Sequence, residues 1–264
     1  IRHSDEGFQK SLSRPGDRLG AQDEAALRAI MLWDATTASL RLAAHWDQDK
    51  SENLAPSAFD GRWGGFDFAQ PRPTPFDPRP YFTTGDDQAA DWSSDFVPKR
   101  NNVSRGLNAR LTWRTAKDVE ITAISALEFF DRDELVEISG VPFADTRWRI
   151  RNSIRSLSQE VRARRSWSSF MIQTGLYYAR DDFSEKALLG LQSSPFHPIL
   201  GVNELLLRSR QSAEQISLFG TGAWTLSPDF SASLGARFTH AAKDWRSCPY
   251  DSGDGSVAAA WNNV

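Results

Sequence analysis

Residues 216–245, ISLFGTGAWTLSPDFSASLGARFTHAAKDW, decide how this chain is read. Two runs of alternating residues are joined by the few around Ser227, Pro228 and Asp229. In the second run Phe230, Ala232, Leu234, Ala236 and Phe238 make one side apolar, while Ser231, Ser233, Gly235, Arg237 and Thr239 make the other small or polar. A period of two on both sides of a turn is the pattern of a β-hairpin with one dry face. The fold depends on what that face touches, a protein core or lipid.

Three more hairpins precede this one. Ala25, Leu27, Ala29, Met31 and Trp33 alternate up to a link at residues 34–38, after which Leu40, Leu42, Ala44 and Trp46 resume the pattern. Leu107, Ala109, Leu111 and Trp113 lead to a turn at residues 115–118 and return as Val119, Ile121, Ala123, Leu127 and Phe129. A weaker hairpin sets Leu157, Val161 and Ala163 against Phe170, Ile172, Leu176 and Tyr178 across a turn near residues 166–168. Helical periodicity is poor throughout, so the chain reads as all-β.

The links between hairpins differ from the turns inside them. Residues 50–103 form a long segment rich in Pro, Gly, Asp and aromatics, residues 131–154 and 181–211 form further long links, and residue 244 begins another. Soluble domains seldom keep structureless links longer than about 12–15 residues. Outer-membrane barrels alternate short periplasmic turns with longer extracellular loops, and their tilted strands need about 9–11 residues to cross the hydrocarbon layer. Trp33, Trp113 and Trp224 each stand at the turn end of a strand, with Phe230 across from the last, where a membrane-interface aromatic girdle would fall. The inferred outward faces carry few charges, Arg105 near a loop end being the plainest, which matters because Arg or Lys at mid-bilayer costs about 2–4 kcal/mol. The dry face is therefore assigned to lipid. The fold expected is an antiparallel transmembrane β-barrel, partial, with about eight strands of a larger barrel and long extracellular loops.

Composition agrees with that choice without forcing it. The 264 residues carry 31 basic and 34 acidic side chains, a formal charge of -3 that offers no general attraction to nucleic acid. The Arg run through residues 147–165 is read as lining water or meeting headgroups, so no nucleic acid partner is expected. No apolar run approaches the roughly 18 residues of a spanning helix, a measure that is blind to barrel strands. A single Cys248 excludes an internal disulfide or a multi-cysteine zinc site within this chain. A start at Ile1 and an end in AAAWNNV read as an internal piece of a longer protein.

Candidate chemistry is sparse. Asp131, Asp133 and Glu134 lie together in FFDRDELVE and read as a solvated loop margin rather than a catalytic pair. His3, His45, His197 and His240 are scattered at no ligand spacing, and DSGDGS lacks the ligand that an EF-hand turn needs, so no metal, cofactor or catalytic residue is expected and the chain is read as no enzyme. The aromatics of the long loop, Trp63, Phe66, Phe68, Tyr81, Phe82 and Trp92, are the candidate ligand-binding residues, since stacked rings make a face for an organic ligand.

Three of these stretches resemble TonB-dependent receptors, the energised outer-membrane transporters of Gram-negative bacteria. GFQKSLSRPGDRLGAQDEAALRAIMLWDATTASLRLAAHWDQDKS resembles an early barrel hairpin of that family. The hairpin at residues 156–183 is similar through Leu157, Ser158, Gln159, Glu160, Val161, Arg162, Gly175, Leu176 and Tyr178. That at residues 215–245 is similar through Leu218, Phe219, Gly220, Leu226, Leu234, Gly235, Arg237, Phe238, Lys243 and Asp244. The resemblance implies that residues 1–264 are one partial barrel domain, with plug and C-terminal strands outside the chain. It also implies localisation in the cell outer membrane and active transport of a scarce ligand, a small organic or metal-chelate molecule such as a ferric siderophore. The implied partners are outer-membrane lipid and the TonB complex, the latter reached through the plug. The competing expectation is a secreted carbohydrate-binding or carbohydrate-cleaving β-protein, in which the loop aromatics would stack sugars, Asp131 or Glu134 would serve as a carboxylate, and Trp33, Trp113 and Trp224 would stand inside a two-sheet core.

Overall fold

The computed structural model describes residues 1–4, 6–58, 62–63, 66–67, 79–81, 86, 88–143, 147–191 and 202–251. Fourteen strands are found among them, in chain order β1 (Arg2–Ser4), β2 (Gln9–Ser11), β3 (Arg18–Leu19), β4 (Gln22–Asp34), β5 (Ala38–Asp49), β6 (Arg62–Trp63), β7 (Phe66–Asp67), β8 (Ala89–Ala90), β9 (Lys99–Arg114), β10 (Val119–Glu137), β11 (Arg147–Ser166), β12 (Phe170–Gly190), β13 (Glu204–Ser227) and β14 (Phe230–Asp251). The eight long strands, with β1 added at one edge, make a single antiparallel sheet in the order β1-β4-β5-β9-β10-β11-β12-β13-β14. Each long strand pairs with its neighbours in sequence, and the sheet does not close on itself. The expected eight-strand partial barrel wall is the architecture found.

All four hairpin turns fall where the alternation is interrupted. Ala35 N–H donates to Ala38 O at 2.7 Å, Thr115 N–H to Val119 O at 2.9 Å and Trp167 N–H to Phe170 O at 2.7 Å. Asp118 closes the second turn in the left-handed region, φ 56°, which short polar side chains tolerate. The fourth turn carries a register shift between Thr225 and Ser227.

The links at the other end are shorter than expected, and this is a correction. Strands run on to Glu137, Gly190 and Asp251 and begin already at Lys99, Arg147 and Glu204. Asp131, Asp133 and Glu134 therefore lie inside β10 rather than on a loop margin. Where both faces of a sheet are wet the hydrophobic alternation disappears, yet backbone pairing continues because every N–H and C=O still gains a partner. Cross-strand ion pairs take over from apolar pairs there: Arg149 and Arg151 each stand 3.1 Å from Asp133.

Register puts the apolar sets of all hairpins on one face. Trp113 faces Ile121, Leu107 faces Leu127, Leu127 faces Leu157, Val161 faces Leu176, Leu176 faces Leu218 and Leu218 faces Phe238. No described residue covers this band: Leu176 is 56%, Leu218 55% and Phe238 75% exposed. A two-sheet core would need a second layer here, and the described residues supply none. From Trp224 to Glu214 the band follows about ten residues of strand, which at about 3.3 Å each and a tilt of about 45° gives a height near 23 Å, close to the roughly 25 Å apolar belt of a membrane barrel.

Candidate functional site

The loop end of the sheet carries a small packed cap built by chain segments far apart in sequence. β2 pairs with β3 and, in parallel, with β8. Leu19, Ala55, Ala90 and Trp92 form its core. Gln9 acts as a strand substitute, its amide donating to Ala55 O at 2.7 Å and accepting from Ala55 N–H at 2.8 Å. Asp91 is fully buried and accepts from Ser11 Oγ at 2.8 Å, Ser13 N–H at 3.0 Å and Ser13 Oγ at 3.0 Å. Arg14 straps the outside, donating to Trp92 O at 2.7 Å with its guanidinium 5.5 Å from the Trp92 ring. Trp92 N–H donates to Asp91 as well, at 3.2 Å. A buried carboxylate with four donors is stable only where those donors are fixed, so Asp91 welds residues 11–13 to residues 90–92.

The cap is tied to the barrel wall at three points. Glu52 accepts from the N–H groups of Gly20 and Ala21, both at 3.1 Å. Asn53 donates to Leu135 O at 3.2 Å. Gly140, with φ 71°, brings the loop after β10 so close that an added Cβ would stand 2.6 Å from Pro56 O, and Tyr81 meets Phe143 edge to face at 6.3 Å. Between these ties lies Glu137, buried, with one carboxylate oxygen accepting from Ser139 N–H at 2.7 Å and from Ser139 Oγ, and the backbone of Ser93 and Ile138 nearby. Burial pushes its carboxyl above the ordinary value, and the hydrogen bonds from Ser139 offset this only in part.

Below the cap, the face opposite the apolar band is lined with paired polar groups. Arg100 stands 2.7 Å from Asp49, Asn102 donates to Glu134 at 2.7 Å, and Arg132 pairs with Glu134 at 2.5 Å. Burial pushes Glu134 up, but the bonds from Arg132 and Asn102 outweigh it and hold the carboxyl below its ordinary value. Nearer the turns, His45 Nε2 is 3.3 Å from Glu128, whose carboxylate lies over Gly106, and Arg237 sits over Tyr177 and Phe219 while donating to Ser217 at 2.9 Å. The charges of this lining stand largely in pairs. Among the described residues no group of three or more His, Cys, Asp or Glu side chains could hold a metal ion.

The residues singled out from sequence are placed as follows. Trp33, Trp113, Trp224 and Phe230 stand at the turn ends of β4, β9, β13 and β14, exposed, with Trp167 joining them from the β11–β12 turn. Trp63 and Phe66 oppose each other in the register of β6 and β7. Tyr81 is half-buried beside Phe143, and Trp92 is a core residue, 4% exposed. Phe68 and Phe82 lie outside the described residues. Arg14, Asp91 and Glu137 were not singled out; no local spacing marks them, because their partners lie about 80 residues away or depend on a loop fold.

No model of a known protein family matches the chain, and no curated protein matches it in sequence. Among solved structures it is similar to the ferric yersiniabactin uptake receptor FyuA from Yersinia pestis, with a TM-score of 0.67 and 14% identity over 95% of this chain. The chain has the fold of a β-barrel segment. It spans about a third of that receptor, 34% of its length. The cap and the polar face below it together form the candidate site.

Proposed function

We propose that this chain is barrel wall from an outer-membrane transport receptor, one that takes up a scarce ligand such as a ferric siderophore and is energised through the TonB complex. The observation that carries this reading is the uncovered apolar band about 23 Å tall, bounded by aromatics at the turn end and by charges at the loop end. The likeness in fold to FyuA supports it, as does a lining of ion pairs suited to water. Lipid covers the band, and the aromatics Trp33, Trp113, Trp224 and Phe230 sit at its periplasmic border. We assign ligand contact to the loop aromatics Trp63, Phe66, Phe68, Tyr81 and Phe82, while Trp92 packs in the core of the cap. Coupling to TonB belongs to a plug outside this chain, and no residue here has a catalytic role.

The test is made on the whole protein carrying this chain. Membrane fractionation should place it in the outer membrane as a species whose gel mobility changes on heating, and deleting its gene should abolish uptake of one chelated metal under scarcity. Recovery in the soluble fraction would sink the reading.

A further inference from the structure

The polar face carries one row that is largely apolar. Register sets Phe130, Ile154, Phe183, Gln211 and Trp245 side by side across β10–β14. Each is an odd number of residues from the band residue of its own strand, Leu127, Leu157, Leu176, Leu218 or Phe238, so all five lie on the face opposite the band. The next row toward the turns holds Glu128, Ser156, Asp181, Ala213 and Lys243. The next toward the loop end holds Arg132, Asn152, Glu185, Ser209 and Ser247. An aromatic stripe thus runs between two polar ones.

Leaving such a stripe to water costs hydrophobic free energy, and an exposed apolar patch with a polar rim marks a binding surface. Trp245 is 66% exposed, and Phe130 and Phe183 are half-buried. Neighbouring strands lie about 4.8 Å apart, so Phe130, Phe183 and Trp245, each two strands from the next, are spaced at about 10 Å. That is too far for their rings to stack on one another. It admits a further ring between each pair, about 5 Å from both neighbours and within the 4.5–7 Å range of aromatic contacts. Ile154 lies between the first pair in the register and Gln211 between the second.

Charge narrows what such a ring belongs to. Phe183 stands between Asp181 and Glu185 on the same face of its own strand, about 7 Å from each along the backbone. Asp47 lies in the same row as Phe130, beyond Ser104. These three carboxylates make no ion pair among the described residues. Of the cations in the flanking rows, Arg132 is held by Glu134 at 2.5 Å, which leaves Lys243 against them. A surface with spare negative charge repels an anion, whereas an uncharged ring enters freely and a cation gains from both carboxylates and ring faces. We propose that Phe130, Phe183 and Trp245 stack the aromatic rings of the transported chelate, and that this chelate carries no net negative charge. This rests on the outer-membrane reading above, in which the polar face lines the barrel, and it narrows the ligand class of that reading.

The experiment uses the whole protein purified from outer membranes and three substitution-inert chromium(III) tris-chelates as probes: the benzohydroxamate, uncharged with rings; the acetohydroxamate, uncharged without rings; and the catecholate, ringed and trianionic. In calorimetric titrations the benzohydroxamate complex should bind about tenfold or more tightly than either of the others. Phe183→Ala with Trp245→Ala should bring its affinity down to that of the acetohydroxamate complex. Asp181→Asn with Glu185→Gln should raise the affinity for the catecholate complex several-fold. Arg155→Gln, on the face of the apolar band, should change none of these. Equal binding of the two hydroxamates, or tighter binding of the catecholate, overturns the proposal. Binding of none of the three also overturns it, because the row is then covered by polypeptide. The comparison of the three chelates needs no variant, so it stands even if a double variant fails to fold. A protein found in the outer membrane that prefers the trianionic probe defeats this inference alone, whereas absence from that membrane defeats the functional reading as well.

Discussion

Trp224 faces Phe170 across the β12–β13 ladder, with ring centroids 5.1 Å apart, and Trp167 stacks on the same Phe170 at 5.6 Å. Trp224 remains 38% exposed, so this trio is not a protein core. Rings at a membrane border gain from stacking and from an amphipathic position, and an aromatic pair contributes about 0.5–1.5 kcal/mol beyond the area it buries. Trp224→Ala should therefore lower the unfolding free energy in lipid vesicles by about 1–3 kcal/mol, with Trp224→Phe restoring most of it. Denaturant titration of the two variants checks this, and an effect below about 0.5 kcal/mol for the alanine would count against an interface role.

Arg105 is the charge that stands out on the face of β9 that carries the apolar band. It lies over the Phe129 ring at 5.5 Å and 3.8 Å from Asp131, both on the adjacent strand. Arg and Asp are each more than half exposed, so the pair itself contributes little, about 0–1 kcal/mol. What matters is the cost of leaving one member alone at the upper border of the band. Asp131→Ala should destabilise more than the double change Asp131→Ala with Arg105→Leu, giving a coupling of about 0.5–1 kcal/mol in a double-mutant cycle. Additive single effects would show that the two charges act independently.

Gly175 is a strand glycine covered by its own register partner. An added Cβ would meet Phe219 Cζ at 2.5 Å and Val161 O at 2.8 Å, and the second contact is backbone that cannot step aside. Gly220, the next residue along β13, has only Gln173 O at 3.6 Å. Gly175→Val should thus lower stability by about 2–3 kcal/mol while Gly220→Val stays within about 0.5 kcal/mol. Folding yields into vesicles and denaturant midpoints distinguish them, and equal effects would mean that the Phe219 ring does not pack there.

The contrast between these glycines and the loop-end acids shows which features of the fold were legible in sequence. Alternation such as Leu107, Ala109, Leu111, Trp113 marked a strand because one of its faces is dry, and the four turns followed from where that alternation stops. Beyond Leu157 and Leu127 charged and polar residues interrupt the alternation, so residues 131–137 and 147–154 read as loop although they pair without interruption. The cap was invisible for another reason. Asp91 and Ser11, or Gln9 and Ala55, are brought together across long stretches of chain, and neither carries a local period or spacing. The loop aromatics were visible as a composition, but composition alone did not distinguish Trp92 in the core from Tyr81 at its edge.

Glu137 and Asp133 respond to pH in opposite senses. Burial raises Asp133, but the bonds and charges of Arg149 and Arg151 outweigh it and hold its carboxyl below the ordinary value of 3.8. Its stabilising contribution is present above that pH and is lost as pH falls through the lower folded value. Glu137 is shifted upward from 4.5 by burial, so the folded cap binds its proton more tightly than the unfolded chain does. The cap is therefore most stable below pH 4.5, loses stability as pH rises toward the raised folded value, and is level above it. Glu137→Gln keeps an acceptor for Ser139 without a charge to bury. Its advantage over the natural residue should be absent in acid, grow as pH rises from 4.5, and then stay constant. Asp133→Asn should show a deficit at neutral pH that disappears below pH 3.8. Hydrogen exchange of residues 137–143 and 131–135, followed across this range in the whole protein, reads both. A Glu137→Gln difference that does not vary with pH would mean that Glu137 keeps one protonation state throughout.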